Sequence, residues 1–318
     1  MTNYSRQKII PEELSGYRLD LALARTFSEF SRSRIKSWIL DGSILIEGEK
    51  LRPRDIVNGG ENVSIQVIYS ENIKNEPEPI TLDIEYEDEE IAVINKPVGL
   101  VVHPGAGNFT GTLMNGLLHK WPTLSELPRA GIVHRLDKDT SGLMVIAKTL
   151  IAHNSLVRQL ESRTVTRQYD AICNGVLTGG GTINEPINRH PVHRKKMTVR
   201  EGGKEAITHY RVEKRFKAHT HVKVNLETGR THQIRVHFAF RRRTLIGDPL
   251  YGRLMIPSGC SSALKEALNS FKRQALCASR LELIHPSSGK IITLEVEPAA
   301  DFKNLLHAMK LDLVQNAK

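Results

Sequence analysis

The chain has 318 residues, of which 40% are hydrophobic, and a formal net charge of +10. No apolar run approaches the ~20 residues of a membrane-spanning helix, and residues 1–10 lack the apolar segment of a secretory signal. The cysteines Cys173, Cys260 and Cys277 are odd in number and far apart, which argues against a disulfide framework or a metal-binding pair. We therefore expect a cytoplasmic protein with one sizeable domain and one small domain.

The positive charge is concentrated in the C-terminal part of the chain. Residues 76–90 contain 8 acidic residues and no basic one, whereas residues 91–318 contain 34 basic and 17 acidic residues. Such an excess predicts a polyanionic partner, although charged runs are also common on solvated loops. The two densest basic clusters are Arg189, Arg194, Lys195, Lys196, Arg200 and Lys204, and Arg241, Arg242 and Arg243.

The N-terminal segment, residues 12–75, predicts a small mixed domain. In residues 32–40, apolar side chains recur at helical spacing, and the Asp-Gly pair that follows is typical of a helix end. Short strands are expected at residues 44–46 and 63–67. A basic helix beside a short hairpin is similar to the S-four RNA-binding domain.

Two basic residues of this predicted helix, Arg32 and Lys36, are four residues apart and therefore share one face. Residues 1–75 together contain 11 basic and 10 acidic residues, so a basic surface here depends on how these side chains are grouped. The resemblance to the S-four domain implies that Arg32 and Lys36 contact RNA.

Residues 76–90 are rich in proline and acidic side chains, which is typical of an exposed linker. The larger domain is expected to cover residues 91–318. Its predicted elements are strands at 91–94, 143–147 and 169–172, a helix at 149–163, and a hairpin in which Val222, Val224 and Leu226 are followed by Ile234, Val236 and Phe238. Because strands and helices do not alternate regularly, we predict an α+β fold: a mixed, largely antiparallel sheet with a cleft, beside the small N-terminal α/β module.

Residues 131–149 join a charged loop to the apolar strand expected at 143–147. The loop contains His134, Arg135, Asp137 and Asp139. An adjacent cation favours the charged form of a carboxylate, which makes Asp137 a candidate nucleophile. The alternative is that both aspartates only cap a turn.

Residues 228–237 carry a second basic motif, on the predicted hairpin. Arg230 lies at the edge of its turn, and Arg235 and His237 are expected to share one face of the second strand. A guanidinium in a cleft can hold a carboxylate or a phosphate through two hydrogen bonds. An ordinary exposed hairpin is the alternative.

Tyr169 lies at the start of a predicted strand, and this pattern alone favours a place in the core. A phenol also combines a flat face, on which a base can stack, with a polar tip that can handle a proton. Tyr169 is therefore a candidate for both positions.

The histidines His103, His134, His232 and His237 are candidates for a metal site. His232 and His237 are five residues apart, which places them on opposite faces of a strand, and no cysteine or acidic ligand lies at a useful spacing. No phosphate-binding loop or dinucleotide fingerprint is present in the sequence. We expect neither a metal nor a nucleotide cofactor.

Several motifs occur together in one order: Lys96-Pro97, residues 103–105, 131–149, 228–237 and 247–252. This combination resembles the RluA-type family of RNA pseudouridine synthases, and the resemblance covers nearly the whole chain. It implies an isomerase that needs no cofactor and converts uridine in RNA to pseudouridine.

The resemblance also implies a role for three of the candidate residues. Asp137 would be the nucleophile, and Arg235 would pair with it. Tyr169 would pack on the flipped uracil and handle the proton at carbon 5 of the ring.

Further residues are expected to contact the RNA. The resemblance implies that Arg135 fills the position that the flipped base leaves, and we expect His134 and Arg230 to lie beside it. Within the family, the sequence is most similar to members that modify large-subunit ribosomal RNA, so helix 69 of that RNA is the expected target. We expect the protein to act as a monomer on this RNA or on the large subunit, as part of ribosome biogenesis.

Two other functions are compatible with some of these features. A non-catalytic RNA-binding or ribosome-assembly protein would use the basic surfaces without needing Asp137. A carboxylate-dependent glycosidase would use Asp137, but that chemistry normally requires a second carboxylate about 5 to 10 Å away, for which Asp139 is the neighbouring candidate.

Overall fold

The computed structural model describes residues 2–28, 30, 32–69, 76–105 and 108–315. The chain divides into two compact units, Met1–Lys74 and Asn75–Lys318. No helix within the described ranges is long and apolar enough to cross a membrane.

The first unit contains two helices and a three-stranded antiparallel sheet. Its elements are β1 (Thr2–Ile9), α1 (Leu19–Thr26), α2 (Arg32–Asp41), β2 (Ile44–Ile46) and β3 (Asn62–Tyr69). The strand order is β1-β3-β2, so β3 lies at the centre. The core side chains that are fully buried include Leu19, Leu23, Phe27, Ile35, Ile39 and Ile65. Apolar side chains at helical spacing on α2 thus pack against the sheet, as the sequence predicts for this segment.

Strand β1 lies before residue 12, where the small domain is predicted to begin, so the compact unit is larger than expected. The strand is at an edge of the sheet and consists mostly of polar residues, which gives no clear alternation in the sequence. Lys8 attaches it to α1 by donating from Nζ to the carbonyl oxygen of Thr26 over 2.9 Å.

The second unit contains the remaining elements. Its helices are α3 (Leu113–Lys120), α4 (Leu150–Glu161), α5 (Gln233–Phe240), α6 (Ser262–Ser270) and α7 (Ala300–Gln315). Its strands are β4 (Ile84–Glu87), β5 (Ile91–Lys96), β6 (Ser141–Ala147), β7 (Thr166–Asn174), β8 (Gly181–Asn184), β9 (Ile187–Arg189), β10 (Met197–Val199), β11 (Ile207–Arg215), β12 (His219–Leu226), β13 (Leu276–Ile284) and β14 (Ile291–Glu295).

In the described part of this unit, nine strands form one sheet with the order β4-β5-β6-β13-β7-β12-β11-β8, and β14 pairs with β13. The β6–β13 pair is parallel and the others are antiparallel. Strands β9 and β10 form a separate two-stranded hairpin. The predicted α+β class with a mixed, largely antiparallel sheet is confirmed.

Gly142 allows β6 and β13 to approach closely. Its φ is +114°, and a Cβ atom at this position would lie 2.2 Å from the carbonyl oxygen of Ala278 on β13. Gly142 pairs with Ala278 in the parallel register. A side chain at this position would therefore push β6, which follows the Asp137 loop, away from β13, which follows α6.

The prediction of a linker at residues 76–90 is wrong for part of this range, because β4 lies within it and pairs with β5. In β4 the acidic Glu85 and Glu87 face solvent, whereas Ile84 and Tyr86 are partly buried. The acidic side chains are therefore the outer face of an edge strand, which composition alone does not distinguish from a linker.

The predicted second strand of the 222–238 hairpin is also wrong. Residues 219–226 form β12 as expected, but Gln233–Phe240 is the helix α5. Every residue from 233 to 238 is buried, so the helix has no solvent-facing side on which polar residues would be grouped. The alternation of apolar residues in this segment therefore does not distinguish a strand from a helix. As a result, Arg235 and His237 do not share a strand face.

Candidate active site

A cavity of about 900 Å³ lies in the second unit, between the loop before β6, the strand β7 and the turn from β12 to α5. Its lining includes Asp137 and Tyr169, together with a majority of basic over acidic side chains. The arginines that line it are Arg129, Arg135, Arg163, Arg167, Arg230 and Arg235. Low-dielectric walls with one sign of charge attract a polyanion into such a cavity.

Asp137 lies in the loop that precedes β6, and its side chain retains 17% exposure. Its Oδ2 accepts a hydrogen bond from Nη1 of Arg235 over 2.8 Å. Its Oδ1 lies 3.9 Å from Nε2 of His232. The carboxylate is thus attached on one side and open to the cavity on the other, which suits a nucleophile.

Arg235 on α5 contacts two carboxylates at once. Besides Asp137, it contacts Asp248 through Nε (2.8 Å) and Nη2 (2.9 Å). Burial disfavours a charge here, but the two carboxylates outweigh it and raise the pKa of Arg235 above its ordinary value. The guanidinium plane is therefore fixed by Asp248, and its remaining nitrogen points at Asp137.

Asp248 is completely buried, and its residue pattern alone predicts no role for it. Its Oδ1 also accepts hydrogen bonds from the backbone N–H groups of Leu250 (2.9 Å) and Tyr251 (3.1 Å). Burial opposes its ionisation, but these donors and Arg235 lower the pKa of Asp248. The sequence signal was its position in the 247–252 motif, which does not reveal the partner of its side chain.

Tyr169 on β7 is both a core residue and part of the cavity wall. It is 6% exposed and belongs to a cluster with Leu136 and Leu276, which also line the cavity. Burial raises the pKa of Tyr169 to about 12, with a further contribution from the negative charge of Asp137. The phenol therefore carries its proton at neutral pH and can donate a hydrogen bond.

The predicted RNA-contacting residues of this unit differ in whether their side chains already form hydrogen bonds within the protein. Arg135 is exposed at the cavity, whereas Arg230 donates from Nε to the carbonyl oxygen of Glu205 over 2.9 Å. His134 lines the cavity, but its Nε2 accepts a hydrogen bond from the Val145 N–H over 3.1 Å. Burial lowers the pKa of His134 to about 3, so its ring is neutral.

In the first unit, Arg32 and Lys36 lie on α2. Arg32 donates to the buried carboxylate of Asp20 from Nη2 (2.8 Å) and Nε (3.1 Å), while 48% of its side chain remains exposed. Lys36 is exposed to solvent. Both residues retain surface that a phosphate can reach, although Arg32 also supports the fold of this unit.

Lys96 at the end of β5 supports the loop that contains Asp137. It is fully buried, and its Nζ donates to the carbonyl oxygens of Pro97 (2.8 Å), Leu100 (3.1 Å) and Lys138 (3.0 Å). Burial lowers the pKa of Lys96 to about 8, against the raising effect of Asp139 and Asp137. One of these three hydrogen bonds fixes the backbone of Lys138, the residue that follows Asp137, and the other two fix the turn after β5.

The second carboxylate that a glycosidase requires is not supplied by Asp139. This residue does not line the cavity within the described part of the chain, and its carbonyl oxygen accepts from Nη1 of Arg273 over 3.3 Å. Among the described residues, no group of three or more His, Cys, Asp or Glu side chains could hold a metal ion.

Comparison with known proteins identifies the family. A family model described as RNA pseudouridylate synthase matches residues 90–240. A relative from Xanthomonas campestris, named ribosomal large subunit pseudouridine synthase D, is 50% identical over 314 residues, which cover 98% of this chain and 95% of the relative.

The chain belongs to the RNA pseudouridylate synthase family.

Relatives of the same name from Pseudomonas aeruginosa and Escherichia coli (strain K12) are 52% and 50% identical, covering 95% and 96% of this chain and 95% of each relative. Among solved structures, human RNA pseudouridylate synthase domain containing 4 covers 72% of this chain and 93% of its own, at 25% identity and a TM-score of 0.56. Human RNA pseudouridylate synthase domain containing 1, at 22% identity and a TM-score of 0.53, shares the fold. Membership of this pseudouridylate synthase family confirms the predicted enzyme class over the non-catalytic alternative.

Proposed function

We propose that this protein converts uridines of large-subunit ribosomal RNA, with helix 69 as the target, to pseudouridine, and that Asp137 is the nucleophile. The observation that carries the proposal is the Asp137–Arg235 contact of 2.8 Å inside a basic cavity of about 900 Å³. The name of these relatives, ribosomal large subunit pseudouridine synthase D, supports the ribosomal substrate. The cytoplasm, where ribosomal RNA is made and assembled in bacteria, is the proposed location, and the proposed active form is a monomer.

The reaction rearranges one nucleotide without adding or removing atoms. The bond between the ribose carbon C1′ and the ring nitrogen N1 breaks, the base turns, and C1′ bonds to carbon 5. Carbon 5 loses a proton, and N1 gains one. No external energy source or redox partner is needed.

The target base must leave its stack before Asp137 can reach the nucleotide. Unstacking costs a few kcal/mol, which contacts between phosphates and the arginines of the cavity offset. In this proposal, Arg135, which is exposed at the cavity, occupies the position that the base leaves. His134 and Arg230 lie beside it, with Arg230 available to a phosphate through the nitrogens that Glu205 does not engage.

Asp137 then attacks C1′ of the ribose or carbon 6 of the ring, or removes a ribose proton on a glycal route; each route uses the same carboxylate. Arg235 orients the carboxylate and stabilises its negative charge. Tyr169 packs against the ring and handles the proton at carbon 5: its phenol oxygen accepts that proton while the phenol's own proton passes on to N1, so that the residue ends the reaction protonated, as it began.

The test is tritium release from RNA labelled at carbon 5 of uridine, with a large-subunit RNA fragment and with whole subunits as substrates. We expect release by the wild type, and a loss on the order of 10⁴-fold or more in Asp137→Asn with RNA affinity within a few fold. Asp139→Asn is the matched control and should retain activity. Release by Asp137→Asn at the wild-type rate would refute the nucleophile, and no release by the wild type would favour an RNA-binding function.

The N-terminal unit is proposed to be an S-four-like domain that contributes affinity for RNA through Arg32 and Lys36. Its support is the exposed surface of both side chains on one helix. The domain boundaries that we propose are residues 1–74 for this module and 75–318 for the catalytic domain.

A further inference from the structure

His232 occupies a special position at the start of α5. Its φ of +56° and ψ of 22° lie in the left-handed region, where histidine is tolerated better than most non-glycine residues. Its backbone carbonyl oxygen accepts the Val236 N–H over 2.9 Å, so the residue caps the helix while its side chain lines the cavity. The backbone conformation therefore directs the ring toward Asp137.

The hydrogen bonds around Tyr251 favour one of the two neutral tautomers of His232. The Met197 N–H on β10 donates to Oη of Tyr251 over 2.8 Å, and Nδ1 of His232 lies 2.8 Å from the same oxygen. The Tyr251 hydroxyl then accepts from Met197 and donates its own proton to Nδ1. The remaining ring proton is then on Nε2.

This Nε2 faces the oxygen of Asp137 that Arg235 does not contact. The distance to Oδ1 is 3.9 Å, longer than a hydrogen bond. Contacts at catalytic sites often shorten only when the substrate is bound. A carboxylate oxygen has two acceptor positions, so Oδ1 can accept from Nε2–H and still face a substrate.

The ring is a neutral donor at neutral pH. Burial lowers the pKa of His232, against the raising effects of Asp137 and Asp248, and with a further lowering by Arg235 and Arg135. A neutral donor orients the carboxylate without adding a second cation beside the one that Arg235 already supplies.

We propose that His232 is a positioning residue for Asp137, whose Oδ1 it holds through Nε2–H, and that Tyr251 sets the required tautomer. The inference rests on the proposed function, because it takes Asp137 as the reacting carboxylate. Arg235 and His232 then each donate a hydrogen bond to one oxygen of Asp137. Together these two hydrogen bonds prevent rotation of the carboxylate about its Cβ–Cγ bond once the substrate fills the cavity.

The tautomer is tested first, on the full-length protein without RNA, by ¹⁵N NMR of labelled histidines. His232→Asn identifies the signal, since asparagine also adopts the left-handed conformation. We expect a protonated Nε2 and an accepting Nδ1, and a mixture of tautomers in Tyr251→Phe. A protonated Nδ1 in the wild type would overturn the inference. This readout needs no activity, so it remains decisive even if the proposed isomerase reaction fails.

The kinetic test uses tritium release. We expect kcat to fall about 10- to 100-fold in His232→Asn, as for the loss of a hydrogen bond to a charged group, with the KM for RNA within about twofold. Tyr251→Phe should lower kcat in the same direction, and the double variant should lose no more than His232→Asn. His119→Gln, on the exposed side of α3, is the control.

Two kinetic results would overturn the inference. One is an unchanged kcat in a His232→Asn protein whose near-ultraviolet circular dichroism matches the wild type. The other is a rise in KM with constant kcat, because that pattern indicates a substrate contact and not the positioning of Asp137.

Discussion

Arg235 and Asp248 form a bidentate ion pair, and the carboxylate of Asp248 has no exposure to solvent. This pair leaves a single guanidinium nitrogen, Nη1, for Asp137. The orientation of Asp137 thus depends, through Arg235, on Asp248, which does not line the cavity within the described part of the chain.

Asp248→Asn should therefore damage both stability and activity. The change removes the charge that balances a buried guanidinium, and we expect a loss of about 3 kcal/mol in the free energy of unfolding. Urea denaturation measures it, and tritium release should show a lower kcat. Glu297→Gln removes a partner of Lys303 at the surface and should cost less than about 1 kcal/mol. Equal losses in the two variants would contradict the role assigned to burial.

Gly142→Ala should disrupt the parallel pairing of β6 and β13. A Cβ atom at 2.2 Å from the Ala278 oxygen cannot be accommodated without moving backbone, and we expect a destabilisation of about 3 kcal/mol or more. Gly179→Ala is the matched control, because a Cβ atom there would have no neighbour within 4 Å and the φ of Gly179 is not in the left-handed region. Thermal denaturation of both variants is the measurement. Equal melting temperatures for Gly142→Ala and Gly179→Ala would contradict the close approach of β6 and β13 at Gly142.

Asp170 on β7 should make stability depend on pH in the acid range. Burial opposes its ionisation, but hydrogen bonds from His221 (2.6 Å) and Lys223 (2.8 Å) outweigh it and lower its pKa to about 2. The unfolded chain has an aspartate pKa of about 3.9, so the stabilisation is complete above that value and lost as pH falls toward 2.

The size of this contribution is about 2 kcal/mol, and Asp170→Asn should lack it. The difference in unfolding free energy between wild type and variant should shrink from about pH 6 to about pH 3, measured in urea. Glu89→Gln on the exposed surface is the control for removing one acidic side chain. A constant difference for Asp170→Asn would contradict the lowered pKa.

Lys36→Ala should weaken binding to the RNA fragment without changing kcat. If Lys36 contacts one phosphate, the slope of log K against log salt should become shallower by about 0.7 to 0.9. Lys50→Ala, another exposed lysine of the same unit, is the control and should leave the slope unchanged. Identical slopes for all three proteins would remove Lys36 from the RNA surface.

The sequence predicts those parts of the candidate site that depend on local residue patterns. Asp137 follows charged neighbours and precedes a buried strand, and Tyr169 lies within another. The strands β6 and β7 include the apolar runs that predict them, although β7 already begins at Thr166. The sequence indicates His232 only as a candidate metal ligand. Its left-handed backbone conformation, which places the ring at the cavity, cannot be inferred from residue spacing.

Contacts between distant segments were not predictable in the same way. The Arg235–Asp137 hydrogen bond joins residues 98 positions apart, and it was expected only through family resemblance. The helix α5 was mistaken for a strand because burial on all sides removes the polar face that reveals a helix. Asp248 lacked any local signal of its partner, since its two oxygens are engaged by groups on both sides of it in the chain.

The place of β13 in the sheet has a consequence for synthesis of the protein. β13 lies between β6, which follows the Asp137 loop, and β7, which carries Tyr169. Until residues 276–284 have left the ribosome, these two halves have no strand to join them, and closing such long loops is slow. We therefore expect the strand that follows the Asp137 loop and the strand that carries Tyr169 to come together only after β13 has been synthesised.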